Sequence, residues 1–190
     1  MRREAQMVLA IFIGTTGLGA VERTTVPVCM ENLVDGSGVP AVLSQARLQA
    51  SRIMSPAGVK LDWHIDRKFC QTGSDQVISV SVVTNAPKTF RPEALAATLP
   101  FEGVHIQVFY DRIARAGPEL QPALLAYVIV HEIAHVLQSV DHHSVSGIMK
   151  TRWDFYDYTQ IKRGQLRFTA LDIELIQAGM AARAQPAVKR

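Results

Sequence analysis

The chain has few cysteines, a small net charge and no cluster of basic residues. Only two of its 190 residues are cysteines, and they do not form a Cys-x-x-Cys cluster, which argues against zinc ligation by cysteine. The formal net charge is only +3. There is no dense block of Lys and Arg, and basic residues do not alternate with aromatic ones, so we expect no nucleic-acid partner.

Apolar runs are also short, and none reaches the roughly 20 residues that a membrane-spanning helix needs. At the amino terminus, Arg2 and Arg3 precede an apolar stretch, 7–13, and small residues follow up to Ala20. This order is typical of a cleaved export signal. We therefore predict a signal peptide over residues 1–20 and a secreted or periplasmic mature protein that is not bound to the membrane. An uncleaved N-terminal anchor is the alternative.

The two cysteines are Cys29 and Cys70. An even pair in an exported chain favours a disulfide. The bond would close a loop of about 40 residues and stabilise the fold by roughly 3 to 4 kcal/mol in the chain-entropy model. Two buried free thiols are the alternative.

The length and composition predict one domain. With 190 residues and 48% hydrophobic residues, the chain can bury a core but is too short for two ordinary domains. No internal repeat is present. We predict a single domain over 21–184, a disordered tail over 185–190 and a monomeric protein.

Alternating apolar residues predict the strands. The segments 59–65 and 78–82 alternate apolar and polar side chains, the period of a strand with one buried face, and 104–110 has the same pattern. A further β-rich segment, 24–32, contains Pro27, which suits a sheet edge or a strand end because proline cannot donate to a neighbouring strand.

Apolar residues at steps of three and four predict a helix over 40–54. Thr169 and Asp172 form a pattern similar to a capping box at the start of a last helix. The segment 85–103 is expected to be a loop with a short helix around 92–98. Strands and helices in this order predict an α+β domain.

The most apolar segment, 123–137, reads ALLAYVIVHEIAHVL. A helix that is apolar all round is buried, so His131, Glu132 and His135 are costly there unless something binds them. His131 and His135 lie one turn apart on one face and can bind one metal ion. Glu132 then lies beside the ion. This is the H-E-x-x-H pattern of zinc peptidases, in which zinc activates a water molecule and the glutamate accepts its proton.

A catalytic zinc ion needs a third protein ligand and one open position. Asp141, His142 and His143 follow the predicted helix within a few residues and are the candidates. A carboxylate of the last helix, Asp172 or Glu174, is a further alternative.

The segment after His135 resembles the metzincin class of zinc peptidases. In that class the pattern H-E-x-x-H-x-x-G-x-x-H/D precedes a methionine-bearing turn, the Met-turn, and Met149 matches this methionine. Gln138 stands at the position of the metzincin glycine, and Asp141 stands at the position of the last ligand. Because Gln138 adopts a sharp turn less readily than glycine, a longer return path to the metal is favoured.

The segment 131–153 is more similar to a group of small exported bacterial zincin-like proteins, which combine H-E-x-x-H with H-S, G-I-M and a nearby tryptophan. The matching residues are His143, Ser144, Gly147, Ile148, Met149 and Trp153. The segment 109–113, FYDRI, and the last helix are also similar. The resemblance implies a small zincin-like α+β domain with a mixed sheet, an active-site helix, a Met-turn and a C-terminal helix. It also implies His143 as the third zinc ligand, with Asp141 and His142 as alternatives.

Zincins place an edge strand just before the active-site helix, and this edge pairs with an extended peptide. The strand 104–108 has this position in the sequence. It is expected to be either such an edge strand or, equally, an internal strand of the sheet. His64 and His105 are expected to be ordinary residues of strand surfaces. Candidates for stabilising the oxyanion are Tyr110, Arg152, Tyr156 and Tyr158, and none is assigned.

The leading hypothesis is a secreted, zinc-dependent endopeptidase that acts on peptides or proteins. One Zn²⁺ would be held by His131, His135 and His143, with Glu132 as the general base. A zincin-shaped binding protein with a structural metal is the second hypothesis, and a metal-free fold is the third.

Overall fold

The computed structural model of the protein describes residues 23–70, 76–98 and 104–184. The predicted signal peptide, 1–20, and the predicted tail, 185–190, lie outside the described residues. Within these ranges, no helix combines the length and the apolar character that crossing a membrane requires.

Five strands form one mixed sheet in the spatial order β2-β1-β3-β5-β4. The strands are β1 (Thr24–Leu33), β2 (Val59–His64), β3 (Ile78–Val83), β4 (Ala96–Thr98) and β5 (His105–Phe109). The first four in spatial order run parallel, and β4 runs antiparallel to β5. Alternate residues of β3 are buried, as the sequence period predicts.

The sheet corrects one prediction and decides between two alternatives in the middle of the chain. The expected short helix at 92–98 is wrong, because 96–98 is the strand β4. Of the two alternatives left open for the strand at 104–108, the structure has the internal strand, since β5 lies between β3 and β4. A strand of three residues is too short to show a period, and its pairing with β5 decides its conformation.

Pro27 lies in β1, which is flanked by β2 and β3. Pairing between β1 and β3 begins only at Val28, whereas Pro27 itself pairs with Asp62 of β2. At Pro27 the side of β1 that faces β3 is therefore still unpaired, so the missing N–H costs no hydrogen bond to β3.

The helices are α1 (Val39–Met54), α2 (Arg67–Cys70), α3 (Tyr110–Ala114), α4 (Gln121–Gln138), α5 (Phe155–Lys162) and α6 (Ala170–Ala184). The helix expected at 40–54 is α1, which packs against α4. A short 3-10 turn, Ser55–Ala57, ends at Gly58, which has a left-handed backbone conformation (φ 80°).

The helix α4 is the centre of the core. Thirteen of its 18 residues are buried, because it packs against α1, α5 and α6 and also against strands of the sheet. Burial on all sides explains why the segment is apolar on all sides.

The helix α6 packs closely against the end of α4. Gly179 has no side chain there, and a Cβ at this position would overlap the carbonyl oxygen of Leu137. At the start of α6, the Thr169 N–H donates to Asp172 Oδ2 (2.8 Å), and the Asp172 N–H donates to Thr169 Oγ1 (3.2 Å). These two bonds form the predicted capping box.

The Cys29 and Cys70 side chains form a disulfide, with a Cα–Cα distance of 5.5 Å. The bond joins β1 to the end of α2, on the part of the sheet remote from β4.

Candidate metal centre

Three histidines converge at one point of the structure. His131 and His135 lie one turn apart on α4, and their Nε2 atoms are 3.1 Å apart. His143 approaches from the loop after α4, and one ligand atom from each of the three residues lies within 4.8 Å of the others. Among residues 23–70, 76–98 and 104–184, no carboxylate or cysteine joins this group.

A left-handed turn brings His143 back toward α4. Gln138 remains helical, and the turn occurs at Ser139 (φ 55°, ψ 22°), whose N–H donates to the His135 carbonyl oxygen (3.1 Å). The turn therefore lies one residue later than the metzincin glycine. The longer return path places a later residue, His143, near the two helical histidines.

The alternative ligands Asp141 and His142 do not join the group. The Asp141 side chain is 95% exposed, and its Oδ1 atom lies 3.8 Å from Nδ1 of His143. His142 instead lies beside the Ser144 hydroxyl, with Nε2 at 3.4 Å from Oγ. The structure thus brings His143 to the pair and leaves its two neighbours outside.

The carboxylates of α6 also lie outside the group. Asp172 is fully buried, and its Oδ1 accepts a hydrogen bond of 2.6 Å from Ser144 Oγ. Glu174 is exposed. The structure therefore does not bring a carboxylate of the last helix to the histidine pair, because Asp172 is bonded within its capping box and to Ser144.

The His131 ring is oriented by a backbone carbonyl. Its Nδ1 atom lies 2.8 Å from the Ile148 oxygen, and a carbonyl only accepts, so Nδ1 carries the proton. Trp153 Nε1 donates to the same oxygen at 3.3 Å. The lone pair of His131 is consequently on Nε2, the atom that faces His135.

The turn that supplies this carbonyl is tightly held. Gly147 has a left-handed conformation (φ 78°), and a Cβ there would overlap the Arg167 carbonyl oxygen. The Ile148 N–H donates to that same oxygen (3.0 Å). Met149, which matches the metzincin methionine, is fully buried, and its carbonyl accepts from the Ser144 N–H (2.8 Å).

The surroundings of the three imidazoles favour their uncharged forms. Desolvation lowers the pKa of His131 and of His143 below the usual value, and it lowers the pKa of His135 to about 4, with the neighbouring histidines acting in the same direction. Only a neutral imidazole has a lone pair for a metal, so the cluster is in its binding form at neutral pH.

Glu132 lies beside the cluster and is held by the sheet edge. The Thr98 hydroxyl donates to Glu132 Oε2 at 2.8 Å. Burial raises the pKa of Glu132, whereas the hydrogen bonds from the Thr98 hydroxyl and backbone N–H lower it. Thr98 is not among the site residues predicted from the sequence, because the segment 92–98 is expected there to be helical, whereas 96–98 is a strand. A strand predicted at 96–98 would have been the sequence signal that pointed to Thr98.

A cleft of about 1310 Å³ gives access to the cluster. Its walls include β4, the residues of the cluster, and side chains from the region after Met149. Of the four oxyanion candidates, Arg152 and Tyr158 line this cleft. Tyr156 is 70% exposed and does not line it, and the Tyr110 hydroxyl donates to Gln121 at the start of α4 (3.4 Å).

The two other histidines named from the sequence lie on strands, as expected. His64 is at the end of β2, with Nε2 at 3.0 Å from Asp62 Oδ2 and its ring stacked on Phe69. His105 is at the start of β5. Neither belongs to the histidine cluster.

No protein-family model matches the chain, and no curated protein matches it. Among solved structures, the chain is similar to archaemetzincin from Methanopyrus kandleri, with a TM-score of 0.56 and 14% sequence identity. The match covers 83% of this chain and 96% of the archaemetzincin chain. A likeness at this identity is a likeness of fold, so the chain has an archaemetzincin-like fold.

Proposed function

We propose that the chain is a zinc-dependent peptidase in which His131, His135 and His143 hold one Zn²⁺ and Glu132 is the general base. The observation that carries this proposal is the meeting of three imidazole ligand atoms within 4.8 Å of one another, beside Glu132 and on a cleft. The archaemetzincin-like fold supports it independently.

The donor set fits zinc. Three neutral imidazoles are a common ligand set of catalytic zinc, whereas Mg²⁺ and Ca²⁺ take oxygen ligands. Ligands of a tetrahedral zinc ion at 2.0–2.1 Å from the metal are about 3.3 Å apart. The 3.1 Å between Nε2 of His131 and Nε2 of His135 is close to this separation.

Each residue of the site has a role in peptide hydrolysis. A bound zinc ion would supply a Lewis acid that polarises the peptide carbonyl and makes water acidic. Glu132 accepts a proton from the attacking water and passes it to the leaving amine. The Ile148 carbonyl holds His131 in the tautomer that a metal requires.

The substrate we propose is an extended peptide that pairs with β4. This strand lies at the edge of the sheet, lines the cleft and is next to Glu132. Main-chain pairing to an edge does not require a chain terminus, which favours an endopeptidase.

We propose that the protein acts outside the cytoplasm, in a secreted or periplasmic form. The sequence pattern of residues 1–20 is the main support. The Cys29–Cys70 disulfide adds weaker support, because such bonds persist in oxidising compartments.

The test pairs metal content with cleavage. We expect about one zinc per chain in purified protein and cleavage of a mixed peptide library, with both lost on chelation and both restored by zinc. Glu132→Gln should keep the metal and lose cleavage, whereas His143→Ala should bind zinc at least tenfold more weakly. Full zinc occupancy with an inert wild-type protein would favour the alternative, a zincin-fold binding protein. Cleavage that persists in the Glu132→Gln variant would refute the mechanism.

A further inference from the structure

We propose that Thr98 is a positioning residue for Glu132, and that β4 thereby aligns the general base and the substrate with one strand. The kinetic part of this inference rests on the proposed peptidase function. The contact between the two residues does not depend on it.

The contact joins two elements that are far apart in the chain. Glu132 belongs to α4, and Thr98 is the last residue of β4. The Thr98 hydroxyl donates to Glu132 Oε2 at 2.8 Å, and the Thr98 backbone N–H acts on the same carboxylate. The hydroxyl bond restrains the orientation of the carboxylate, because a charge-assisted hydrogen bond is short and directional.

The pairing of β4 with β5 shows where the unpaired backbone groups of β4 point. The Phe109 N–H donates to the Leu95 carbonyl, so these opposed residues form a hydrogen-bonded pair. Antiparallel pairs alternate, and Thr98 opposes Ile106, which is a non-hydrogen-bonded position. The N–H of Thr98 therefore points away from β5, so β5 does not use this donor.

The same alternation assigns a place to the substrate. Ala96 opposes Val108, another non-hydrogen-bonded position, so its N–H and carbonyl also point to the free side of β4. Glu132 is bonded to the Thr98 hydroxyl at one end of β4, and the outward groups of Ala96 are placed to pair with the main chain of a peptide. Within the described residues of β4, the base therefore lies at the Thr98 end of the edge and the peptide-pairing groups lie at Ala96.

The test replaces only the hydroxyl. Thr98→Val keeps the branched shape and the backbone N–H, and Thr98→Ser restores a hydroxyl. Thr25→Val, at an exposed site on β1, is the matched control for the same substitution in a strand. With zinc loaded, we expect Thr98→Val to lower kcat about tenfold or more with little change in KM or zinc content, and Thr98→Ser to recover most of the rate. Thr25→Val should match the wild type.

A second readout needs no activity. In chelator-treated protein, Thr98→Val should lower the thermal unfolding midpoint when Glu132 is present, since a buried carboxylate loses a donor. It should lower the midpoint clearly less in a Glu132→Ala background. Equal shifts in both backgrounds, or an unchanged kcat for Thr98→Val, would overturn the inference. A wild-type protein that cleaves nothing would refute the proposed function, and the unfolding comparison would still decide whether Thr98 holds Glu132.

Discussion

The hydroxyl of Ser144 lies 2.6 Å from Oδ1 of the fully buried Asp172, and this bond ties the loop that carries His143 to the start of α6. Ser144 is adjacent to His143 in the chain. The C-terminal helix therefore contributes to the cluster by holding the loop, although it supplies no ligand.

Removing the Ser144 hydroxyl should weaken both the fold and the metal site. Ser144→Ala leaves the buried carboxylate of Asp172 without one donor, which costs about 1–3 kcal/mol of unfolding free energy. The loop also loses a restraint, so we expect zinc affinity to fall by about tenfold. Urea denaturation of chelated protein and competition with a zinc chelator measure the two effects. Unchanged affinity would show that the other contacts of the loop suffice.

Gly179 should not tolerate a methyl group. In Gly179→Ala the new Cβ meets the backbone of Leu137, which cannot rotate away, so α6 must shift from α4. We expect a loss of about 1–3 kcal/mol or more. Gly38→Ala is the matched control, because a Cβ there meets no atom within 4 Å, and its effect should be within about 0.5 kcal/mol. Similar losses in both variants would contradict the close packing.

At the end of α4, substitution by glycine should have opposite effects on the unfolding free energy at two neighbouring residues, Ser139 and Gln138. Ser139→Gly should raise the unfolding free energy by about 0.5–1 kcal/mol, because glycine adopts the left-handed conformation without strain. Gln138→Gly, which restores the metzincin pattern, should lower it by about 1 kcal/mol, because Gln138 is helical, buried and bonded to the Asp172 carbonyl. Thermal denaturation of both variants decides this. A stabilising Gln138→Gly would mean that the turn can move to residue 138.

Sequence predicted the parts of the site that depend on local order. The apolar segment around His131 and His135 predicted a buried helix. The i,i+4 spacing of the two histidines then predicted that both rings lie on one face of that helix. The choice among Asp141, His142 and His143 depended on the left-handed turn at Ser139. Serine has no preference for this conformation, so the turn could not be predicted from the sequence.

The sheet edge was harder to predict, for a different physical reason. The strand 96–98 has only three residues, and its state is set by pairing with β5 and by the Thr98 contact to Glu132. Both partners are distant along the chain, so no local pattern records them.

The histidine cluster should make metal-free protein less stable in acid. The pKa of His135 in the folded protein is about 4, against 6.5 for an unperturbed ring, and the pKa values of His131 and His143 are also lowered. Between pH 6.5 and 4 the unfolded chain therefore binds protons that the folded chain does not, and the unfolding free energy falls as the pH falls. Glu132 acts in the opposite direction, because its raised pKa gives the folded state an extra proton above pH 4.5.

A comparison of the wild type with a His135 variant separates the histidine contribution from the opposite contribution of Glu132. His135 alone should account for a change on the order of 2 kcal/mol, after allowance for the partial exposure of its ring. Urea denaturation of chelated wild type and His135→Gln between pH 7 and 4.5 measures this change, and the variant should lose less stability than the wild type. Parallel curves for the two proteins would show that His135 is not held uncharged by burial. With zinc bound, the wild-type loss should be steeper, because protons then also compete with the metal for the same nitrogens.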